Sequence, residues 1–247
     1  MPDPLPARHY PNAPITEAII DLRVELPANT QVEMLDRVQE GEEESYPVKL
    51  PLYLEQVQVS PGLTASAVRR QVGFRFQSKD EKYLFQARTD GFTMSRFPPY
   101  EDWDRFQAET QRLWAAYRRV AKPMKVLRLA VRYLNRLDLP LPVSNFEDYL
   151  RTVPQVPAEL PQGLSGYFMQ LKMPMESIKS TALINEGIIE EAIRPSAVSI
   201  VLDIDIFRTD DVPSDEDGLW RVMDELRKAK NQVFEASITE KARELFQ

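Results

Sequence analysis

The chain has 247 residues, 43% of them hydrophobic, which suffices for one large domain or two small ones with a sizeable core. Lys and Arg number 31 against 38 Asp and Glu, and the resulting net charge of −7 opposes sequence-independent binding of nucleic acid, which needs a basic surface. Cysteine is absent and His9 is the one histidine, so disulfides, thiolate catalysis, zinc–thiolate sites and a histidine-rich metal site within one chain are all excluded.

No apolar run approaches the ~18 residues that a membrane helix needs. The proline-rich start, MPDPLP, lacks the apolar core of a signal peptide. We therefore expect a soluble cytoplasmic protein with no membrane partner.

In the first half of the chain, a strand is predicted over Pro14–Leu26, where apolar residues alternate with Glu17, Asp21 and Arg23. A capping box at Thr30–Glu33 then predicts a helix that ends at Gly41. Four further strands are predicted at Tyr53–Val59, Val68–Gln77, Lys82–Ala87 and Phe92–Phe97. Apolar residues at three- and four-residue steps predict an amphipathic helix over Glu101–Val120.

The second half begins with a predicted strand over Val126–Leu139, followed by a short helix that starts at Ser144. Strands are predicted at Gly166–Met173, Ile178–Ile184 and Ala197–Phe207, while Gly187–Ile193 is ambiguous. A long helix is predicted from Ser214 to Ala236, and a last short helix follows Ser237. The three tryptophans lie in predicted helices at spacings typical of core residues.

The pentapeptide RVELP at 23–27 is matched 113 residues later by RLDLP at 136–140. Because a similar order of elements follows each copy, we predict an α+β fold made by tandem duplication of a strand–helix–antiparallel strands–helix unit. Helices are expected to cover one face of each antiparallel sheet. The first repeat would be 1–122, with a proline-rich leader, and the second 123–247. Each has few residues for a core, so we expect one cooperative unit.

Three separated segments resemble a sporadically distributed family of bacterial proteins of about this length and of unknown function. They are residues 10–21 (YPNAPITEAIID), 129–138 (LAVRYLNRLD) and 231–239 (NQVFEASIT). The resemblance implies no activity, cofactor or catalytic residue. The patchy distribution of the family implies an association with mobile genes, such as bacterial defence or toxin-linked systems.

Arginines recur on one face of the strand Val126–Leu139, at Arg128, Arg132 and Arg136. Guanidinium groups bind phosphate and carboxylate groups in a bidentate manner, so Arg23, Arg132 and Arg136 are candidate residues for binding a small anionic ligand. The alternative is pairing with acids on neighbouring strands, for which Asp203 and Asp205 are the natural partners. Arg23 and Arg136, at matching positions in the two pentapeptides, should each have a carboxylate within pairing distance.

Four strand carboxylates, Glu17, Asp21, Asp203 and Asp205, form a second candidate site, because carboxylates at alternating positions can hold magnesium or calcium. Their spacing is generic, so solvated or salt-bridged strand faces are the favoured interpretation.

The sequence has no glycine-rich phosphate loop and no GxSxG motif, and it indicates neither a catalytic residue nor a cofactor. We therefore favour a non-enzymatic interaction or regulatory protein with a protein partner or a homodimeric assembly. An anionic-ligand binder and a metal-dependent enzyme are the alternatives.

Overall fold

The computed structural model describes residues 8–58, 66–189 and 196–247. The nine strands in these ranges are β1 (Ile15–Glu25), β2 (Val48–Gln58), β3 (Ser66–Gln77), β4 (Tyr83–Arg88), β5 (Gly91–Arg96), β6 (Lys125–Pro140), β7 (Phe168–Met175), β8 (Ser180–Ile189) and β9 (Ala197–Arg208). The α-helices are α1 (Trp103–Ala121), α2 (Glu216–Ser237) and α3 (Glu240–Glu244). Short 3₁₀ helices lie at Val32–Gln39, Phe146–Asp148 and Glu176–Ile178. Within the described ranges, no helix is long and apolar enough to cross a membrane.

The predicted tandem repeat of strand–helix–antiparallel strands–helix units is wrong. The strands form one antiparallel sheet in the order β2-β3-β4-β5-β1-β6-β9-β8-β7. The two matching pentapeptides occur where the neighbouring strands β1 and β6 end, each close to a proline. A strand that stops at a proline can occur twice without any duplication of a domain, because proline cannot donate a ladder hydrogen bond.

Local differences from the predicted elements have local causes. Strand β2 begins at Val48 rather than Tyr53, because Pro51 is accommodated in a strand at the end of the sheet. The helix predicted over 30–41 is a 3₁₀ helix at Val32–Gln39. The ambiguous segment Gly187–Ile193 continues β8 as far as Ile189, and its remainder lies outside the described residues, as does Val59.

The chain divides into two compact units. The first, called the central unit, is Ile19–Leu129, and the second, called the flanking unit, combines the chain up to Ala18 with Ala130–Gln247. Both boundaries fall inside strands, within β1 and β6. The predicted division of the chain into 1–122 and 123–247, and its folding as one cooperative unit, stay predictions.

The core of the central unit is aromatic. Phe76 and Phe85, on paired positions of β3 and β4, stack with ring centroids 4.5 Å apart. Helix α1 starts at Asp102, whose side chain accepts a hydrogen bond from the Arg105 backbone N–H. The helix buries Trp114 and Tyr117, which both contact the Phe92 ring of β5. The core-like spacing of the tryptophans is confirmed, because Trp103, Trp114 and Trp220 are each at most 8% exposed.

In the flanking unit, α2 packs on β9. The N-terminal residue Tyr10 contacts α2 and the C-terminal residues that follow it. The Tyr10 hydroxyl donates to the Glu235 carboxylate at 2.8 Å, and Arg243 Nε donates to the same carboxylate at 2.8 Å. The Tyr10 ring lies edge-on to Phe234 and Phe246. Residues of the segments 10–21 and 231–239 therefore meet in a partly buried polar contact.

Glu186 and Lys230 are two of the buried ionisable groups of the flanking unit. Glu186, 3% exposed, accepts a 2.8 Å hydrogen bond from the Tyr167 hydroxyl, and burial raises its pKa to about 7 although that hydrogen bond lowers it. Lys230, 6% exposed, places its Nζ 3.5 Å from the centre of the Tyr133 ring. Burial and the nearby charge of Arg227 lower the pKa of Lys230 to about 7.

The raised pKa of Glu186 predicts a pH-dependent cost to stability. Because the folded pKa of about 7 exceeds the ordinary 4.5, stability from this group is full below pH 4.5 and is lost as the pH rises to 7. At 1.36 kcal/mol per pH unit, the loss reaches about 3 kcal/mol. Glutamine stays neutral and keeps an acceptor for Tyr167, so Glu186→Gln should exceed the wild type in free energy of unfolding by up to this amount at pH 8.

Urea unfolding at pH 4 and pH 8 measures this difference. The two proteins should be nearly equal at pH 4, and Glu244→Gln, at an exposed position of α3, should match the wild type at both values. A wild type as stable as Glu186→Gln at pH 8 would show that the carboxylate is not desolvated.

Candidate functional site

Arg132 and Asp203 form a bidentate ion pair in the flanking unit. Arg132 Nε and Nη2 donate to the two carboxylate oxygens of Asp203, both at 2.7 Å. Asn185 on β8, directly opposite Asp203 on β9, donates to the same carboxylate at 3.0 Å. The Asp203 side chain is 6% exposed, so these donors take the place of the water that would otherwise bind its carboxylate. The sequence-based pairing of a β6 arginine with Asp203 is confirmed.

Other carboxylates surround the same guanidinium. The hydrogen bonds that Arg132 donates to Asp203, and then the charges of Asp203, Asp205 and Glu17, raise the pKa of Arg132 above its ordinary value against the effect of burial. Three of the four candidate metal ligands, Asp203, Asp205 and Glu17, therefore stabilise the positive charge of Arg132. Among the described residues, no three acidic or histidine side chains are placed to hold a metal ion.

Arg136 is paired with its own strand. Its guanidinium lies 2.8 Å from Asp138, two residues along β6 on the same face, and its Nη2 donates to Ser199 of β9 at 3.1 Å. Ser199 in turn donates to Asp138 at 2.6 Å. Arg136 therefore has the carboxylate that we expected, although Asp138 takes the place of Asp203 and Asp205.

Asp21, in the central unit, accepts from three arginines and a threonine. Arg88 lies 2.9 Å from its Oδ1, and Arg23 and Arg128 lie 3.2 and 3.1 Å from its Oδ2. The Thr93 hydroxyl donates to Oδ1 at 2.7 Å. The six residues of the Asp21 cluster are Asp21, Arg23, Arg88, Asp90, Thr93 and Arg128.

Asp90 completes the Asp21 cluster from the turn between β4 and β5. It accepts from Arg88 Nε at 2.9 Å and is also paired with Arg23. Burial would raise the pKa of Asp21, but the charge of Arg88 and the hydrogen bonds from Thr93 and Arg88 outweigh burial and lower it. The cluster is therefore an ionised network built across β1, β4, β5 and β6.

The candidate ligand arginines are thus separated into different networks. Arg132 and Arg136 lie in the flanking unit and Arg23 in the central unit, and each already has a carboxylate partner. Among the metal candidates, Asp21 belongs to the arginine cluster of the central unit and not to the acids around Arg132. Sequence reasoning missed Arg88 and Asp90, because both lie between the predicted strands Lys82–Ala87 and Phe92–Phe97.

A cleft of about 730 Å³ in the flanking unit is lined by the loops on either side of residue 150. Two of its amide side chains form hydrogen bonds with the backbone of the same loops. Asn145 accepts from the Glu147 backbone N–H, and Gln162 donates to the carbonyl oxygens of Pro157 and Leu160. The Asn145 and Gln162 side chains are therefore bonded within their own loops.

Strands β2 and β3 present a different surface, with exposed apolar and cationic side chains side by side. Val48, Leu50 and Leu54 of β2 are 43%, 41% and 45% exposed. The register pairs Leu50 with Arg75 and Leu54 with Arg70, and both arginines are exposed. This surface, called the β2–β3 patch, consists of Val48, Leu50, Leu52, Leu54, Arg70 and Arg75.

The β2–β3 patch lies on the face of the central unit away from its helices. Lys49, which alternates with the apolar residues, reaches Asp36 in the 3₁₀ helix Val32–Gln39, so the odd-numbered side chains of β2 point toward that helix. Sequence reasoning missed the patch because Pro51 interrupts the strand pattern. The alternation of Val48, Leu50, Leu52 and Leu54 was the signal that could have revealed it.

No protein-family model matches the chain, and no curated protein matches it either.

Asp21→Asn should destabilise the protein by about 3 kcal/mol at pH 7, because it removes a charge on which three guanidinium groups converge. The wild-type advantage should be full above the ordinary pKa of 3.8 and should disappear as the pH falls through the lowered pKa of Asp21. Chemical denaturation between pH 2.5 and 7 measures both effects.

Glu40→Ala is the matched control, because it removes an acid from an exposed pair with Arg37 and should cost far less stability than Asp21→Asn. Equal losses from the two substitutions would contradict a structural role of the Asp21 cluster.

Proposed function

We propose that this chain is a non-enzymatic interaction protein that binds a protein partner through the apolar side chains of β2. The observation that carries the proposal is that Val48, Leu50 and Leu54, on one face of a terminal strand of the sheet, are each more than 40% exposed. A concentration of exposed large apolar side chains is typical of interaction sites.

The alternative of an anionic-ligand binder has less support. Its three arginines, Arg23, Arg132 and Arg136, would each have to exchange a carboxylate partner for the ligand. A metal-dependent enzyme is less supported still, because Asp21 and Asp203 are the acceptors of separate arginine networks.

We also place the protein in the cytoplasm, since a chain without cysteine needs no oxidising compartment for disulfides. The resemblance to a sporadic bacterial family supports a partner encoded by neighbouring defence or toxin-linked genes.

Chemical cross-linking followed by affinity purification from native cells tests the proposed function. We expect one protein to be recovered in stoichiometric amount, and the two purified proteins to form a complex of fixed composition in sedimentation velocity. Leu160→Ser, which alters an exposed leucine on a loop of the flanking unit, is a matched surface control and should leave the complex intact.

Recovery of the chain alone, or failure of the purified proteins to associate, would contradict the proposed function. Catalytic turnover by the purified chain would contradict its non-enzymatic character.

A further inference from the structure

We propose that the β2–β3 patch binds an acidic amphipathic helix of a partner protein, an inference that rests on the proposed interaction function and specifies its partner. The helix would lie along β2, with its apolar stripe on the leucines and an acidic flank toward β3.

The apolar row of the patch has the dimensions of a helix stripe. Val48, Leu50, Leu52 and Leu54 occupy alternate positions of one strand, so their side chains recur at intervals of about 6.7 Å, and the row extends for about 20 Å. About 13 residues of helix cover that length at 1.5 Å per residue. A helix about 10 Å wide also overlaps β3, because neighbouring strands lie about 4.8 Å apart.

The two arginines of the patch favour a negative charge on the flank of the bound helix. On β3, Arg75 lies directly opposite Leu50 and Arg70 lies directly opposite Leu54. Neither has a carboxylate partner among the residues that the structure describes, in contrast to the arginines of the Asp21 cluster. In a chain of net charge −7, two such arginines favour glutamate or aspartate on the helix.

Addition of a strand to the edge of β2 is disfavoured. The Thr89 N–H donates to the Val72 carbonyl, so the backbone groups of Val72 point toward β4. Those of the next residue, Gly73, therefore point toward β2, and the backbone groups of its partner Leu52 point toward β3. The neighbouring Pro51 then faces the free edge without an N–H. The register shift between Leu52 and Tyr53 also distorts this edge, and both features are typical protections against strand pairing.

Other occupants fit the charges less well. A two-fold contact between two copies of the patch would bring like-charged arginines into one interface. Anionic membranes attract clusters of about 4–8 basic residues, whereas the patch offers Arg70 and Arg75 within an acidic chain.

The test uses a fluorescein-labelled 16-residue helical peptide with a leucine stripe and glutamates along one flank. Fluorescence polarisation should show micromolar binding to the wild-type protein, and Arg75→Glu and Leu50→Ser should each weaken binding by at least about tenfold. Leu160→Ser and Arg221→Glu, at exposed positions of the flanking unit, are the matched controls and should bind like the wild type. Circular dichroism confirms that every variant is folded.

Four results would overturn the inference: no binding of the peptide to the wild type, equal binding to all variants, preference for a lysine-flanked peptide, or stronger association with phosphatidylserine vesicles or a second copy. The proposed function fails separately, when the chain has no stoichiometric partner. A partner that binds Leu50→Ser and Arg75→Glu normally would leave the proposed function intact and overturn this inference alone.

Discussion

Two carboxylates buried in the sheet, those of Asp21 and Asp203, are paired with arginines from other strands. Their side chains are 12% and 6% exposed. Asp21 accepts from Arg128 on the neighbouring β6 and from Arg88 on β4, and Asp203 accepts from Arg132 on the neighbouring β6. Because an uncompensated buried charge costs several kcal/mol, the strand register that brings these partners together is favoured over registers that separate them. The arginines are therefore part of what specifies the fold.

Sequence reasoning succeeded where the pattern is local. The alternation in β1 and β6 correctly separated the core face from the charged face, because successive side chains of a strand point to opposite sides. It also indicated that a β6 arginine would pair with Asp203. Strand order is not a local property, and Arg88 contacts Asp21 across 67 residues of sequence that carry no sign of the contact. The matching pentapeptides misled for the same reason, since they describe how two strands end and not how the sheet is assembled.

The arginines of the sheet differ in their partners. Arg132 and Arg136 are each paired with a carboxylate within the flanking unit. Arg70 and Arg75 lie instead beside exposed leucines, where burial by a partner would remove apolar surface from water and neutralise a charge together. The interaction proposal follows from this contrast within one sheet.

A double-mutant cycle on Arg132 and Asp203 tests most directly whether the strand arginines are structural. The free energies of unfolding of the wild type, Arg132→Ala, Asp203→Ala and the double variant give the coupling between the two side chains. A bidentate pair with both distances at 2.7 Å predicts a coupling of at least about 1.5 kcal/mol at pH 7. A coupling within about 0.3 kcal/mol of zero would show that Arg132 is not held by Asp203 and would restore it as a candidate for ligand binding.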